Sequence, residues 1–393
     1  MAQRYLYGLA QANEATFAAM ASVVEGGCEQ QFQHVISNAP WRHEPVIEQI
    51  ARDADRLRGG KPDSALILDE SSFAKQGDRS AGVARQWCGR LGKVDNCQVA
   101  VFAVLSDGAR HTPVDMRLYL PQCWIDDPAR CDRAEIPMQA RTMRSKTDLA
   151  LEMVRTARAR GMRFGWVGVD AGYGKEPAFL RALDDMGEVF VADVHATQRV
   201  WTEPPGLHVP APKAKGRPPG KQQACVDGIT VEKLVAGFGA EGWTRCILRD
   251  STRGPLRVDI AHRRVWVWDG KEAAARCWHL VVRREVGAPK RIKYSLSNAP
   301  ADTPLERLAQ IQGALLGRAS LRGCQGRMRP GRLPGGGLVG LAPPRHHRDA
   351  GHAVHRRAAG GASARFGLAD TARHRRDAEG DAGAQAAGQS GAG

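Results

Sequence analysis

Two acids stand out by position: Asp69 follows the apolar run Ser64–Leu68, and Asp170 follows Phe164–Val169. Each run has the length of a buried strand, so each acid is expected at a strand end. Carboxylates that converge there suit hard divalent cations, because Mg2+ takes a few protein oxygens and leaves its other positions to water and phosphate. Two such ions a few ångströms apart activate a water or hydroxyl and stabilise the leaving oxygen in phosphodiester chemistry. The competing reading is purely structural, since an acid after a strand is more often a turn residue or a helix cap.

The surrounding pattern indicates what must position these acids. Residues 1–58 carry apolar positions at helical spacing, broken at Asn38-Ala39-Pro40, and read as a helical lead-in. Over residues 59–200 the order is strand Ser64–Leu68, then a hairpin of Gln98–Leu105 and His111–Leu120 about Asp107-Gly108. Helix Lys146–Arg160, strand Phe164–Val169, helix Pro177–Met186 and strand Glu188–Val194 follow, which predicts an α/β fold with a mixed sheet and flanking helices. Residues 201–300 change to short β-like runs with basic connections: Ile229–Val235, Thr244–Leu248, Val265–Trp268, Trp278–Val282 and Ile292–Leu296. They read as a β-rich insertion. A last helix starts within 301–314, with Thr303 as its expected cap and Pro304 in its first turn.

Residues 315–393 are of another kind. They hold thirteen Arg, seventeen Gly and five acids, with no Lys, Trp, Tyr, Ile or Asn, a bias that predicts a disordered tail. His346, His347, His352 and His355 imitate a metal cluster inside that biased stretch, and chance explains them better than a zinc site.

The whole chain has 57 Lys plus Arg against 42 Asp plus Glu, a formal charge of +15. That balance favours a polyanion, and double-stranded DNA is the expected partner. Candidate DNA contacts are Arg85 and Lys93 near Asp69, the basic stretch with Lys213, Lys215 and Arg217, and Lys290, Arg291 and Lys293. For the last two groups a solvated basic surface accounts for the residues about as well. The nine cysteines are scattered and never form a CxxC pair, so a disulfide framework or zinc ribbon is not expected and a reducing cytoplasm is. No run approaches the roughly 20 apolar residues of a membrane helix.

Four stretches together carry a resemblance: Leu68-Asp69-Glu70-Ser71-Ser72-Phe73-Ala74-Lys75-Gln76-Gly77, Ser80 to Gly89, Gly92 to Gln98, and Gly168-Val169-Asp170-Ala171-Gly172-Tyr173-Gly174. With Tyr294-Ser295-Leu296-Ser297-Asn298-Ala299-Pro300 they span about residues 30–314, and in order and spacing the chain resembles the DDE transposases of bacterial insertion sequences. The resemblance implies a ribonuclease H-like fold, Asp69 and Asp170 as the first two catalytic and metal-holding carboxylates, and two Mg2+ (or Mn2+) ions. It implies DNA cleavage and strand transfer at element ends, a homodimer on DNA, and a cytoplasmic, nucleoid-associated location. Relatives carry more helical sequence before Arg4-Tyr5-Leu6, so weakened end recognition is also expected.

The third carboxylate of the family should be a Glu on the helix after Pro300, reached through a Trp, two residues and the Glu. This chain instead reads Leu315-Leu316-Gly317-Arg318-Ala319-Ser320. A coding string for Leu315 to Pro330, read one nucleotide later, can spell Cys-Trp-Val-Glu-Arg-Ala-Phe-Glu-Asp-Ala-Lys, which is the missing helix. The expectation is therefore a frameshifted, defective enzyme, with a catalytically inactive remnant that competes for element ends as the alternative. Glu306 lies on the remaining helix at a spacing that does not match. Sequencing the gene across codons 300 to 360 is expected to reveal that Trp-Val-Glu helix in an offset frame; its absence from every frame would make the tail genuine.

Overall fold

The computed structural model describes residues 1–314, apart from 14–15, 38, 40–41, 212–219 and 252–253. The expected disorder of 315–393 and the basic residues Lys213, Lys215 and Arg217 lie outside the described residues, as does the side chain of Lys290.

One unit begins the chain with α1 (Ala2–Gln11), α2 (Phe17–Val23) and the start of α3 (Glu29–Ser37). Met20 and Phe32 are buried in it, the Tyr5 ring meets Phe32 edge-on at 6.1 Å, and Thr16 caps α2 by accepting from the Ala19 amide.

The second unit holds the sheet. After α4 (His43–Arg58) come β1 (Ala65–Ala74), β2 (Ala84–Cys88), β3 (Lys93–Ser106) and β4 (His111–Leu118). Two short helices, α5 (Gln122–Ile125) and α6 (Pro128–Arg133), lead to α7 (Lys146–Ala159), β5 (Trp166–Val169), α8 (Ala171–Gly174), α9 (Pro177–Asp185) and β6 (Phe190–Val194). Four two-residue strands, β7 (Arg199–Val200), β8 (Leu207–His208), β9 (Gln223–Ala224) and β10 (Ile229–Thr230), precede α10 (Val231–Ala236). The long strands β11 (Thr244–Ser251), β12 (Gly254–Val267), β13 (Arg276–Glu285) and β14 (Ala288–Ser297) precede α11 (Leu305–Ala314).

The main sheet runs β11-β12-β13-β14-β6-β5-β1-β3-β2, with β4 also on β3. Only β1, β5 and β6 pair in parallel. The strands of 244–297 thus continue the same sheet through the antiparallel β14–β6 pair. Alternation sorts the side chains: Leu66, Leu68, Val101 and Leu105 join the core beneath α4, α7 and α9, whereas Ala65, Ile67, Trp166, Val191 and Val281 face the other way with α11.

Most elements follow the local sequence. Ser145 and Asp148 close a capping box on α7, and Gly161 continues past its end at φ +73°. The hairpin about Asp107-Gly108 forms, with Gly108 at φ +82°. Two expectations need correction. Ile229–Val235 is mostly helix, because the Thr230 hydroxyl accepts from the Lys233 amide and Val231, Leu234 and Val235 fall on one helical face. The strand expected to stop at Leu68 runs on to Ala74, because β3 supplies partners as far as Cys97, so Asp69 sits inside β1.

Below β13 a ring-to-ring contact links the sheet to the approach of α11. His262 Nε2 lies 2.6 Å from His279 Nδ1, and His279 Nε2 lies 3.0 Å from the Pro300 carbonyl oxygen. Burial, then repulsion from His279 and Arg264, lowers His262 from 6.5 to about 4, and burial lowers His279 as well. With folded values depressed, the unfolded chain binds these protons first as pH falls. Their contribution is therefore complete above pH 6.5 and lost towards pH 4. Tm is expected to fall across that window in thermal melts, and to fall less in His262→Gln.

Candidate active site

The parallel pairing of β1 with β5 matches Ala65 to Trp166, Leu66 to Val167 and Ile67 to Gly168. Carried two residues further, the same register would set Asp69 level with Asp170 on the neighbouring strand. Both follow the parity of Ile67 and Trp166, so both belong to the α11 face of the sheet. The carboxyl ends of parallel strands are where α/β sheets place their ligands.

Different local chemistry holds the two acids. Asp69 Oδ1 accepts from the Glu70 amide at 2.8 Å, and its cross-strand partner is Phe102, whose ring lies 6.5 Å from that of Phe73. Asp170 caps α8, with Oδ1 accepting from the amides of Gly172 at 2.8 Å and Tyr173 at 3.2 Å. The structural reading of an acid after a strand therefore holds for Asp170, and it does not compete with a ligand role, because a carboxylate has further lone pairs to offer. Gly174 ends that helix against β6: a Cβ there would collide with the Asp193 carbonyl, so a turn this tight requires glycine. Glu70, next to Asp69, belongs to the opposite face, where Lys146 Nζ pairs with it at 2.6 Å.

Sequence reasoning missed a third acid in the row. β5 pairs with β6 in parallel, Gly168 opposite Val191, so the same two-residue step brings Asp193 level with Asp170. Asp193 Oδ1 accepts from Ser295 Oγ at 2.7 Å, and Ser295 Oγ accepts from Gln312 Nε2 at 2.8 Å. Gln312 is almost fully buried on α11, and its Oε1 has no partner. The signal that could have found Asp193 is its place in Phe190–Val194, one strand over from Asp170. α11 also meets the amino end of β1, through Arg307 Nη1 and Asp63 Oδ1 at 2.5 Å, and its last turn lies over β13 and β11, with Gln312 Nε2 donating to the Val281 carbonyl and Gly313 beside Leu248.

Carboxylates are the donor type a hard divalent cation takes, with water and phosphate completing its shell. Among the described residues, no three His, Cys, Asp or Glu side chains gather into a group able to hold a metal. Of the expected DNA contacts, Arg85 and Lys93 are exposed on the β2–β3 hairpin, where Lys93 Nζ pairs with Asp95 at 2.9 Å. Arg291 and Lys293 lie on β14, both exposed or half-exposed and well separated in sequence from the acids. No helix among the described residues is long and apolar enough to cross a membrane.

Residues 1–255 match the family described as DDE superfamily endonuclease, and the chain belongs to that family. It is 25% identical over 186 residues to a protein of Microchaete diplosiphon named "Probable transposase for insertion sequence element IS701". That match takes in 47% of this chain and 46% of the relative, so the chain spans about half the relative's length. The NurA nuclease of Sulfolobus solfataricus aligns over 73% of this chain and 86% of its own at 9% identity, with a TM-score of 0.29, too low to bear on the fold.

The cap and the charge of Asp170 can be separated. Asp170→Asn keeps an acceptor for the Gly172 amide and is expected to leave Tm nearly unchanged while removing Mn2+ binding in calorimetry. Asp170→Ala is expected to lose the metal and also about 1 kcal/mol of stability.

Proposed function

We propose that this chain is an insertion-sequence transposase of the DDE type, acting on DNA strands at element ends and defective as encoded. The single observation that supports the reading is the parallel register of β1 and β5, which pairs Ile67 with Gly168, two residues before each acid. The family assignment and the insertion-sequence relative point the same way.

In this reading Asp69 and Asp170 hold the metal edge of the site and orient a DNA phosphate against it. A bound divalent cation supplies Lewis-acid stabilisation of charge on the phosphoryl group. The α8 cap keeps Asp170 at one orientation, which lowers the reorganisation needed when a phosphate arrives. A ribonuclease H-like core over 59–200 is supported by the strand order β2-β3-β1-β5-β6, with β1, β5 and β6 parallel. We read 1–58 as a lead-in, 201–300 as the segment interposed before the last core helix, and 301–314 as that helix's start.

The defect follows from the sequence after α11. In the offset frame the family's Glu would fall at position 318, four residues after Ala314. The chain as encoded has Arg318 there. A metal with two of its three carboxylates is poorly held, and strand cleavage should suffer accordingly. A second reading is a DNA-binding remnant that occupies element ends without cutting them, favoured by the Arg318 that stands in the sequence where the resemblance calls for a Glu.

Labelled element ends and random duplex, each with Mg2+ or Mn2+, test the proposal. The chain as encoded is expected to bind element ends with steep salt dependence and to nick them at least 100-fold more slowly than a version with the frame restored after Ala314. Asp69→Asn should abolish nicking by the restored version. A restored version that binds ends yet never nicks would leave only the remnant reading standing.

A further inference from the structure

The β2–β3 hairpin is the place where the fold exposes apolar and basic groups together. Its loop, Gly89 to Gly92, is closed by the amides of Leu91 and Gly92, both donating to the Cys88 carbonyl at 2.9 Å. Trp87 is 53% exposed, Val94 opposite it 53% and Leu91 45%. Arg85, Arg90 and Lys93 are exposed around them, and Asp95 is the hairpin's one acid.

The base of this hairpin is firmly held. Cys88, Cys97 and Val99 are fully buried under Tyr119, and burial pushes the Cys97 thiol up to about 11, so it stays a neutral packing group. Gln86 Nε2 donates to the Cys97 carbonyl at 2.9 Å, and the Arg90 amide donates to Ser72 Oγ at 3.2 Å, tying the loop to β1. The exposed tryptophan is therefore carried by a rigid ribbon, and its exposure is not the fraying of a loose strand.

Geometry places the ribbon usefully. Ala74, the last residue of β1, pairs with Cys97, so Lys93 and the loop project beyond the carboxyl end of β1. From Phe102, opposite Asp69, to Lys93 is nine residues of continuous β3, about 30 Å, close to one turn of duplex.

We propose that this hairpin is a DNA-docking finger, with the Trp87, Leu91 and Val94 edge packed into the minor groove and Arg85, Arg90 and Lys93 gripping the flanking phosphates. Apolar wedges bracketed by cations are how proteins engage a minor groove, the cations supplying counterion release and the wedge a contact that salt does not screen. A second copy of the chain is the poorer occupant, because it would set three cations against three. The finger rests on the reading of the chain as a DNA-acting protein and adds to it the surface that grips the duplex about one turn from the reacting phosphate.

The two kinds of contact respond differently to salt, which gives the test. Affinity for a labelled 40-base-pair duplex is measured by anisotropy from 50 to 300 mM salt, with circular dichroism melts as a folding control. Trp87→Ala is expected to weaken binding about 10-fold at every salt concentration with the log–log slope unchanged, and Trp87→Phe to recover most of it. Arg85→Ala with Arg90→Ala should reduce the slope by about two. If the parent binds DNA and these folded variants bind equally well, the finger is overturned and the general reading survives. If the parent has no affinity for duplex, the DNA-acting reading falls and takes the finger with it. A parent that dimerises in sedimentation through Trp87, with DNA affinity unaffected by Trp87→Ala, would reassign the surface to self-association.

Discussion

The registration of two parallel strands is the constraint on which the rest depends. β1 and β5 share only three steps of pairing, and the same register carried two residues further would set Asp69 level with Asp170 on one face. A slip of a single residue would turn one of them into the core beneath α7 and α9, where a carboxylate is expensive. The register is fixed because each strand buries both its faces. Leu66, Leu68, Val167 and Val169 go to one core, while Ala65, Ile67 and Trp166 go to the other. A one-residue slip of either strand would exchange the two sets.

From that constraint the helices follow. α4, α7 and α9 cover one side, and α11 covers part of the other, over β11 and β13. The contacts of α11 are polar at both ends, with Arg307 to Asp63 at its start and Gln312 to Ser295 near its close. A buried glutamine oxygen without a partner costs free energy comparable to a lost hydrogen bond, a cost that the apolar packing of Leu308 and Ile311 must offset.

Much of this could be read from residue order. The α7 capping box, the Asp107-Gly108 hairpin and Pro177 opening α9 are local signals, and the structure follows them. The readings that failed were those in which local pattern is degenerate. Ile229–Val235 suits either period, and a hydroxyl at Thr230 decided for helix. β1 reads as ending at Leu68 because polar residues follow, whereas its continuation depends on β3, nearly thirty residues away in sequence. Asp193 was invisible for a related reason: its significance comes from a neighbour on another strand, and no spacing rule within one chain segment encodes a lateral register. α8 is similar, being four residues long and recognisable only through the Asp170 side chain that caps it.

β3 is one unbroken strand that pairs β1 along one edge and both β2 and β4 along the other. Its middle lies opposite Asp69 and its first residues carry the hairpin loop. A sheet strand flanked on both sides can twist but can hardly lengthen, so the separation between those two places is a fixed length set by covalent geometry. β3 therefore works as a ruler: whatever touches the acids and the hairpin at once is measured against it, and an insertion or deletion inside Lys93–Phe102 would change the gauge without touching either end.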